Sequence, residues 1–146
     1  MIQLLSQYLE YLFAERGLAE NTILAYRRDL SAFIEFLSLF DKKDEPQNIT
    51  RYDINLFIKN LKDTNHAPTS IARATAAIRG FFDWLFVSEI ITTNPTEGIE
   101  HLKLSKKLPK VLSISEIEHA FEFKFTPLQS AILELLYAAG LRVSEL

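Results

Sequence analysis

The sequence predicts an all-α protein, and two observations carry that prediction. The 146 residues include only 4 glycines and 5 prolines, too few for the many tight turns of a β-barrel. Apolar residues also recur at three- and four-residue steps along most of the chain, which is the period of an amphipathic helix. Because 48% of the residues are hydrophobic and 24% are charged, we expect a buried core.

Two helices are predicted in the first 40 residues. The first covers about residues 2–15 and ends before Gly17, since glycine is the usual residue just past a helix C-terminus. The second covers about residues 20–40, with Arg27 and Arg28 beside its apolar stripe and turned towards solvent. The predicted apolar stripes consist of Ile2, Leu5, Leu9, Leu12 and Phe13 in the first helix, and of Ile23, Tyr26, Leu30, Phe33, Ile34 and Leu37 in the second.

The third and fourth helices follow a loop over residues 41–48. Thr50 and Asp53 predict a capping box at the start of the third helix. The fourth helix, from Pro68 to about Ser88, has small residues in its first half and bulky ones in its second. Its predicted buried stripe is Ile71, Ala74, Ile78, Phe81, Phe82 and Leu85. The stretch "TTNPTEGI" predicts a turn, with a short fifth helix as the alternative.

A basic segment is predicted to link this helical module to a second one. Residues 103–110 are polar and rich in lysine, and Pro109 disfavours helix just before it. Two further helices are then predicted from the capping pairs Ser113–Glu116 and Thr126–Gln129. The last helix is apolar on most sides before Gly140, so it needs neighbours that about 36 residues cannot supply. We therefore expect residues 111–146 to be the opening of an incomplete domain.

Composition excludes several functional classes. The chain has no cysteine, which excludes disulfides and thiolate metal sites and favours a reducing cytoplasm. Glu10 and Glu15 in the first segment argue against a signal peptide or membrane span. His66, His101 and His119 lie far apart, so neither a metal site nor a cofactor is expected. The net charge of −3 is weak evidence against nucleic-acid binding.

Two features could carry chemistry. One is the Thr, Ser and Arg face of the fourth helix together with the basic linker, which could enter a DNA major groove. Periodicity alone favours an ordinary solvated face. The other is Arg142, which lies between Leu141 and Val143 and is expected to be partly buried. Its partner would be Glu145, three residues on, or a phosphate.

Long ordered segments resemble the tyrosine recombinases of the phage integrase family, and within them the bacterial Xer recombinases of the XerC and XerD type. These segments are "GLAENTILAYRRDLSAFIEFL", "TSIARATAAIRGFFDWL", "NPTEGIE", "LPKVLSISEIE" and "LLYAAGLRVSEL". The resemblance implies that residues 1–102 form a core-binding, SAM-like bundle of four to five helices, one half of a clamp around duplex DNA. Residues 103–110 would be the linker along the DNA, and residues 111–146 the start of a truncated catalytic domain.

The resemblance also implies site residues, residue by residue. On the second and fourth helices, which face the major groove in the family, the implied DNA-binding residues are Thr22, Tyr26, Arg27, Arg28, Thr69, Ser70, Arg73 and Arg79. On the linker they are Lys103, Lys106, Lys107 and Lys110. Arg142 matches the family's first catalytic arginine, which binds the scissile phosphate, and Glu145 matches a supporting acidic position.

The same resemblance implies that most of the catalytic residues lie beyond Leu146. Tyr8, Tyr11, Tyr26, Tyr52 and Tyr137 match none of the family's nucleophile positions, so we expect DNA binding without catalysis. A full-length relative would break and rejoin DNA through a 3′-phosphotyrosine in a synaptic tetramer, for chromosome or plasmid dimer resolution. Ala19 lies where the family often has a serine N-cap. Because alanine cannot cap, we expect the start of the second helix to be about 1 kcal/mol less stable. The alternatives are a helical protein-interaction module and a truncated mobile-element integrase.

Overall fold

The computed structural model describes residues 1–40, 45–99 and 111–146, and all regular structure in these ranges is helical. The chain divides into two compact units, Met1–Ser105 and Lys106–Leu146. The predicted linker, residues 103–110, lies outside the described residues. The first unit contains α1 (Ile2–Ala14), α2 (Glu20–Ser38), α3 (Arg51–Asp63) and α4 (Pro68–Val87), and the second contains α5 (Ile114–Phe121) and α6 (Pro127–Ala139). Short 3-10 turns occur at Pro46–Asn48 and Val143–Glu145.

The core of the first unit is built around α2 and α4. Helix α2 packs against α1 and α4, and α3 packs mainly on α4. Phe33 of α2 meets Phe57 of α3 and Phe82 of α4 in edge-on ring contacts, with centroids 5.2 and 6.3 Å apart. All six residues of the stripe predicted for α4 are buried, so that prediction is confirmed.

Helix α1 is turned differently from the prediction. Its buried residues are Leu5, Tyr8, Leu9 and Leu12, whereas Ile2 and Phe13 are 75% and 66% exposed. At about 100° per residue, the buried side is centred on Leu5 and Leu12, with Tyr8 at one edge and Leu9 at the other, and Phe13 lies beyond Leu9. The contact of Tyr8 with Phe81 and Trp84 of α4 explains the rotation, because α1 must face α4 as well as α2.

The predicted capping boxes are present in the structure. The backbone N–H groups of Thr50, Ser113 and Thr126 donate to the side chains of Asp53, Glu116 and Gln129, at 2.8, 2.7 and 3.0 Å. The hydrogen bond with the Ser113 backbone lowers the pKa of Glu116. Each pair uses donors that the first helical turn leaves unsatisfied. Local side-chain chemistry therefore defines these three helix starts.

The "TTNPTEGI" stretch forms turns and not a fifth helix. The amide of Asn94 donates to Asp83 Oδ1 at 2.6 Å, which ties the segment to α4. The other side of the same amide, Oδ1, accepts from the N–H of Thr96 at 2.9 Å. The four-helix form of the first unit is thus the one observed among the described residues.

The second unit has little burial of its own. Neither α5 nor α6 has a buried residue. Phe121 and Tyr137 join the two helices through an edge-on contact with centroids 5.7 Å apart. Gly140 ends α6 in the left-handed region with φ of 62°, as the sequence predicts.

Replacing Ala19 with serine is expected to stabilise the first unit by about 0.5–1 kcal/mol. Ala19 precedes α2 with extended backbone and offers no side-chain hydrogen bond to the first turn. A serine hydroxyl would accept one of the free N–H groups. Urea unfolding followed by the fluorescence of Trp84, the only tryptophan, measures the change. Ala32→Ser, at an exposed position within α2, is the control and should be slightly destabilising. An Ala19→Ser midpoint at or below that of the unmodified chain would contradict the prediction.

Gly80→Ala is expected to destabilise the same unit by about 1 kcal/mol, although alanine is the better helix former. A Cβ at Gly80 would lie 2.5 Å from the Tyr8 hydroxyl oxygen and 3.7 Å from its ring carbon Cζ. The Tyr8 ring is held by Phe81 and Trp84, with centroids 5.4 and 5.6 Å away, so it cannot move aside freely.

The matched test repeats Gly80→Ala in a Tyr8→Phe background. Without the hydroxyl the clash disappears, and alanine should then stabilise the helix by up to about 1 kcal/mol. The change in urea midpoint that Gly80→Ala causes should therefore have opposite signs in the two backgrounds. An equal effect in both would show that close approach to Tyr8 is not the reason for glycine.

Candidate nucleic-acid interface

Five of the eight DNA-binding residues predicted on α2 and α4 line grooves of the first unit, and these grooves are three different ones. Arg28, Ser70 and Arg73 line one pocket of about 250 Å³ between α2 and α4. Tyr26 lines a groove of about 680 Å³ that includes Tyr8 and Gly80. Arg27 lies on the opposite side of α2, in a groove shared with α1. The structure therefore brings together three of the predicted residues and separates Tyr26 and Arg27 from them.

A two-point ion pair joins Arg73 of α4 to Asp29 of α2. Nε of Arg73 donates to Oδ2 of Asp29 at 2.7 Å, and Nη2 donates to Oδ1 at 3.0 Å. The side chains are 37% and 10% exposed. The hydrogen bonds to Asp29 raise the pKa of Arg73 above its usual value, so the guanidinium stays protonated. Arg73 is thus a structural residue whatever else it does.

Asp29 was not among the residues predicted for the site, although a signal was available. It lies three residues after Tyr26 and four before Phe33, both on the predicted inner face of α2. An acid at such a position is buried, and a buried carboxylate needs a cation or hydrogen-bond donors. The sequence did not indicate which of several arginines would supply them.

The remaining predicted residues of the bundle occupy varied environments. Thr69 is exposed in the first turn of α4, whereas Thr22 and Arg79 are half-buried. Lys103, Lys106, Lys107 and Lys110 lie outside the described residues. Their predicted roles stay predictions.

Arg142 is exposed, and the prediction of partial burial is wrong. Its side chain is 81% exposed, because the apolar Leu141 and Val143 beside it do not pack around it in this unit. Nη1 of Arg142 donates to Oε1 of Glu145 at 3.0 Å, and its backbone N–H donates to Oε2 at 2.8 Å. Glu145 therefore holds both ends of Arg142 at the start of a 3-10 turn.

The tyrosines and histidines form no recognisable catalytic cluster in the described parts of the chain. Tyr8 is buried, and that burial raises its pKa, so its hydroxyl stays protonated. Tyr52 and Tyr137 are exposed on helices. His119 lies 3.3 Å from the Glu122 carboxylate, and no group of three or more potential metal ligands occurs among the residues described. None of the described helices is long and apolar enough to cross a membrane.

Known proteins resemble this chain along its whole length. The family model of the phage integrase N-terminal SAM-like domain matches residues 5–88. The chain is 41% identical over 152 residues to tyrosine recombinase XerC of Herpetosiphon aurantiacus, covering 100% of this chain and 49% of that protein. It is 41% identical over 147 residues to tyrosine recombinase XerD of Halalkalibacterium halodurans, covering 97% of this chain and 49% of that protein.

A third relative gives the same picture. Tyrosine recombinase XerD of Listeria monocytogenes is 36% identical over 151 residues, covering 100% of this chain and 51% of that protein. The chain thus spans about half the length of the curated relatives it matches. The helical bundle, its matched residues 5–88 and these identities agree, and the chain belongs to the phage integrase family of tyrosine recombinases.

Proposed function

We propose that this chain is a DNA-binding portion of a site-specific tyrosine recombinase. The whole protein would act in the cytoplasm with other recombinase subunits in a synaptic tetramer. It would break and rejoin duplex DNA through a 3′-phosphotyrosine, at a site where chromosome or plasmid dimers are resolved. The residues present here bind DNA through α2 and α4 and, at residues 103–110, through lysines. They do not form a covalent intermediate.

The observation that carries this proposal is the arrangement of α2 and α4 in a chain of this family. These adjacent helices place Arg28, Ser70 and Arg73 around one pocket, although the chain as a whole has a net charge of −3. Affinity for phosphate depends on where positive charge is concentrated more than on the total. A local basic surface can therefore bind DNA on an acidic protein.

A gel shift with a salt series tests the binding. The chain should retard a duplex carrying a Xer-type core site, and the logarithm of the affinity should fall linearly with the logarithm of salt concentration. Each neutralised phosphate contributes about 0.9 to that slope. Absent binding, or binding that ignores salt, would refute the proposal.

A nicked suicide substrate tests the second half of the proposal. After incubation and denaturing electrophoresis, no protein should remain attached to the DNA, because none of the chain's tyrosines lies in a catalytic cluster among the described residues. A covalent adduct would overturn that part of the proposal and leave the binding part intact.

In the same proposal Arg142 binds a non-bridging oxygen of the scissile phosphate and Glu145 orients it. The exposed guanidinium donates only one hydrogen bond to Glu145, through Nη1. A guanidinium has five N–H donors, so it can hold a phosphate at the same time. Fixed donors of this kind stabilise charge that develops in a transition state.

A protein-interaction module is the second candidate, and exposed apolar side chains favour it. Ile2, Phe13 and Leu24 are all exposed on α1 and α2. The Arg28→Ala variant discriminates between the candidates, since it removes an exposed arginine of the α2–α4 pocket. A DNA-binding protein should lose affinity, whereas an interaction module should show the same weak retardation before and after the change.

A further inference from the structure

The pocket between α2 and α4 collects polar groups from three consecutive parts of the fold. Arg28 and Asp29 come from α2, Ser70 and Arg73 come from α4, and His66 follows the end of α3. The pocket has a volume of about 250 Å³, which accommodates a group of phosphate size together with water. The remaining wall is formed by small or apolar side chains, so these polar groups determine what the pocket can bind.

The charges of the pocket favour an anion. Arg28 and Arg73 contribute two positive charges and Asp29 one negative charge, so these three residues leave one net positive charge. Nδ1 of His66 is 3.0 Å from the Thr64 hydroxyl, so Nε2 is the ring nitrogen not engaged in that contact. Ser70 adds a hydroxyl that can donate.

Asp29 restricts Arg73 without exhausting it. The carboxylate receives hydrogen bonds from Nε and Nη2, along one edge of the planar guanidinium. Both N–H groups of Nη1 and the second N–H of Nη2 are not used by Asp29, because the guanidinium has five donors in total. A guanidinium fixed along one edge presents its other edge in a defined direction, and it loses less side-chain entropy when it binds.

We propose that this pocket holds one phosphate group of the DNA backbone, with Arg28, Ser70 and Arg73 as donors and with Asp29 as the residue that positions Arg73. The inference rests on the proposed DNA-binding function and adds to it a definite phosphate subsite and a role for an acid. Arginine forks match phosphate oxygens well, and serine hydroxyls are common phosphate donors. His66 closes the pocket on the α3 side.

The decisive test is Asp29→Asn, because positioning and simple electrostatics predict opposite signs. Removing a negative charge beside a DNA-binding surface should raise DNA affinity if only charge matters. If Asp29 positions Arg73, the weaker and singly bonded asparagine should lower affinity by about 3- to 10-fold, since one charge-assisted pair is loosened. Glu35→Gln, an exposed charge removal on the same helix, is the control for the charge effect. Unchanged or higher affinity for Asp29→Asn, relative to Glu35→Gln, overturns the positioning role.

Two further variants keep the test valid if Asp29→Asn folds poorly. Arg28→Ala should reduce the salt slope by about 1, and Ser70→Ala should weaken binding by about 3- to 10-fold on all sequences. Lys59→Ala removes an exposed lysine that does not line the pocket. Its salt slope should equal that of the unmodified chain within experimental error. Trp84 fluorescence in urea confirms that each variant is folded. If the unmodified chain binds DNA but all pocket variants behave like Lys59→Ala, the subsite is wrong and the proposed function stands.

The source of the phosphate is tested by competition. Inorganic phosphate titrated into the chain should shift the amide NMR signals of Ser70 and Arg73 only at millimolar concentrations, and duplex DNA should displace it. Tight binding of inorganic phosphate that DNA does not displace would mean a free phosphate ligand and would refute a DNA-backbone subsite. If the unmodified chain binds no DNA at all, the proposed function fails first.

Discussion

Arg73→Met is expected to destabilise the first unit by about 3 kcal/mol, although Arg73 is one of the residues the family resemblance assigns to DNA. The substitution removes both hydrogen bonds to Asp29, whose carboxylate is only 10% exposed. Breaking a buried pair by removing one partner typically costs about 3–5 kcal/mol, since the remaining charge is left desolvated. The lower end applies because Arg73 itself is 37% exposed and its charge is partly screened.

The double variant Asp29→Leu/Arg73→Met separates this cause from lost packing. Apolar residues of similar size replace a buried pair with little net cost, so the double variant should recover most of the stability. Urea unfolding followed by Trp84 measures both variants, and Arg28→Met is the matched control with an expected change within about 0.5 kcal/mol. A single variant no worse than Arg28→Met, or a double variant no better than the single, would contradict the ion-pair account.

This contact changes how DNA-binding experiments on α4 are interpreted. A loss of retardation by an Arg73 variant could result from unfolding, because the same arginine holds α2 to α4. Arg28 and Ser70 line the same pocket without forming that pair, so their variants report on binding more directly. The helix pairing therefore determines which residues can serve as probes.

The features predicted correctly from the sequence are those that neighbouring residues determine. The stripe of α4 repeats at three- and four-residue steps, and every member is buried. The capping pairs Thr50–Asp53, Ser113–Glu116 and Thr126–Gln129 are three residues apart and need no tertiary partner. Backbone hydrogen bonding in the first turn is a local problem, so a local pattern indicates its solution.

The features that were missed or wrong depend on residues far apart in the chain. Asp29 and Arg73 are separated by 44 positions, and nothing in either local sequence selects the other. Arg142 shows the reverse error, since apolar sequence neighbours suggested burial and the side chain is 81% exposed. Burial is a property of packed elements, and in this unit no described residue of α6 is buried.

The rotation of α1 has the same origin. Its apolar residues cover one wide arc, with Tyr8 at one end and with Ile2 and Phe13 at the other, and Leu5, Leu9 and Leu12 lie between them. Periodicity indicates a helix and gives no reason to bury one end of this arc and not the other. The aromatic contacts of Tyr8 with α4 decide between them, and these contacts exist only in the folded bundle.

Phe82→Ala is expected to cost about 3–5 kcal/mol, the largest effect of any substitution considered for this chain. Phe82 is fully buried in α4 and meets Phe33 of α2 and Phe81 at ring-centroid distances of 6.3 and 5.7 Å. Alanine would lose the transfer free energy of the ring and leave a cavity that the surrounding aromatic side chains cannot fill.

Phe86→Ala is the matched control, because Phe86 lies one turn further along α4 and is 44% exposed. It should cost about 1 kcal/mol or less, since much of its ring stays in contact with water in the folded state. With a urea m-value of about 1–1.5 kcal/mol/M for a unit of this size, the Phe82→Ala midpoint should fall by about 2–5 M and the Phe86→Ala midpoint by less than about 1 M. Similar losses for both would contradict the assigned packing. Because Phe82 joins α4 to α2, the DNA affinity of Phe82→Ala should fall in proportion to its folded fraction. Binding should be restored under conditions in which this variant is folded.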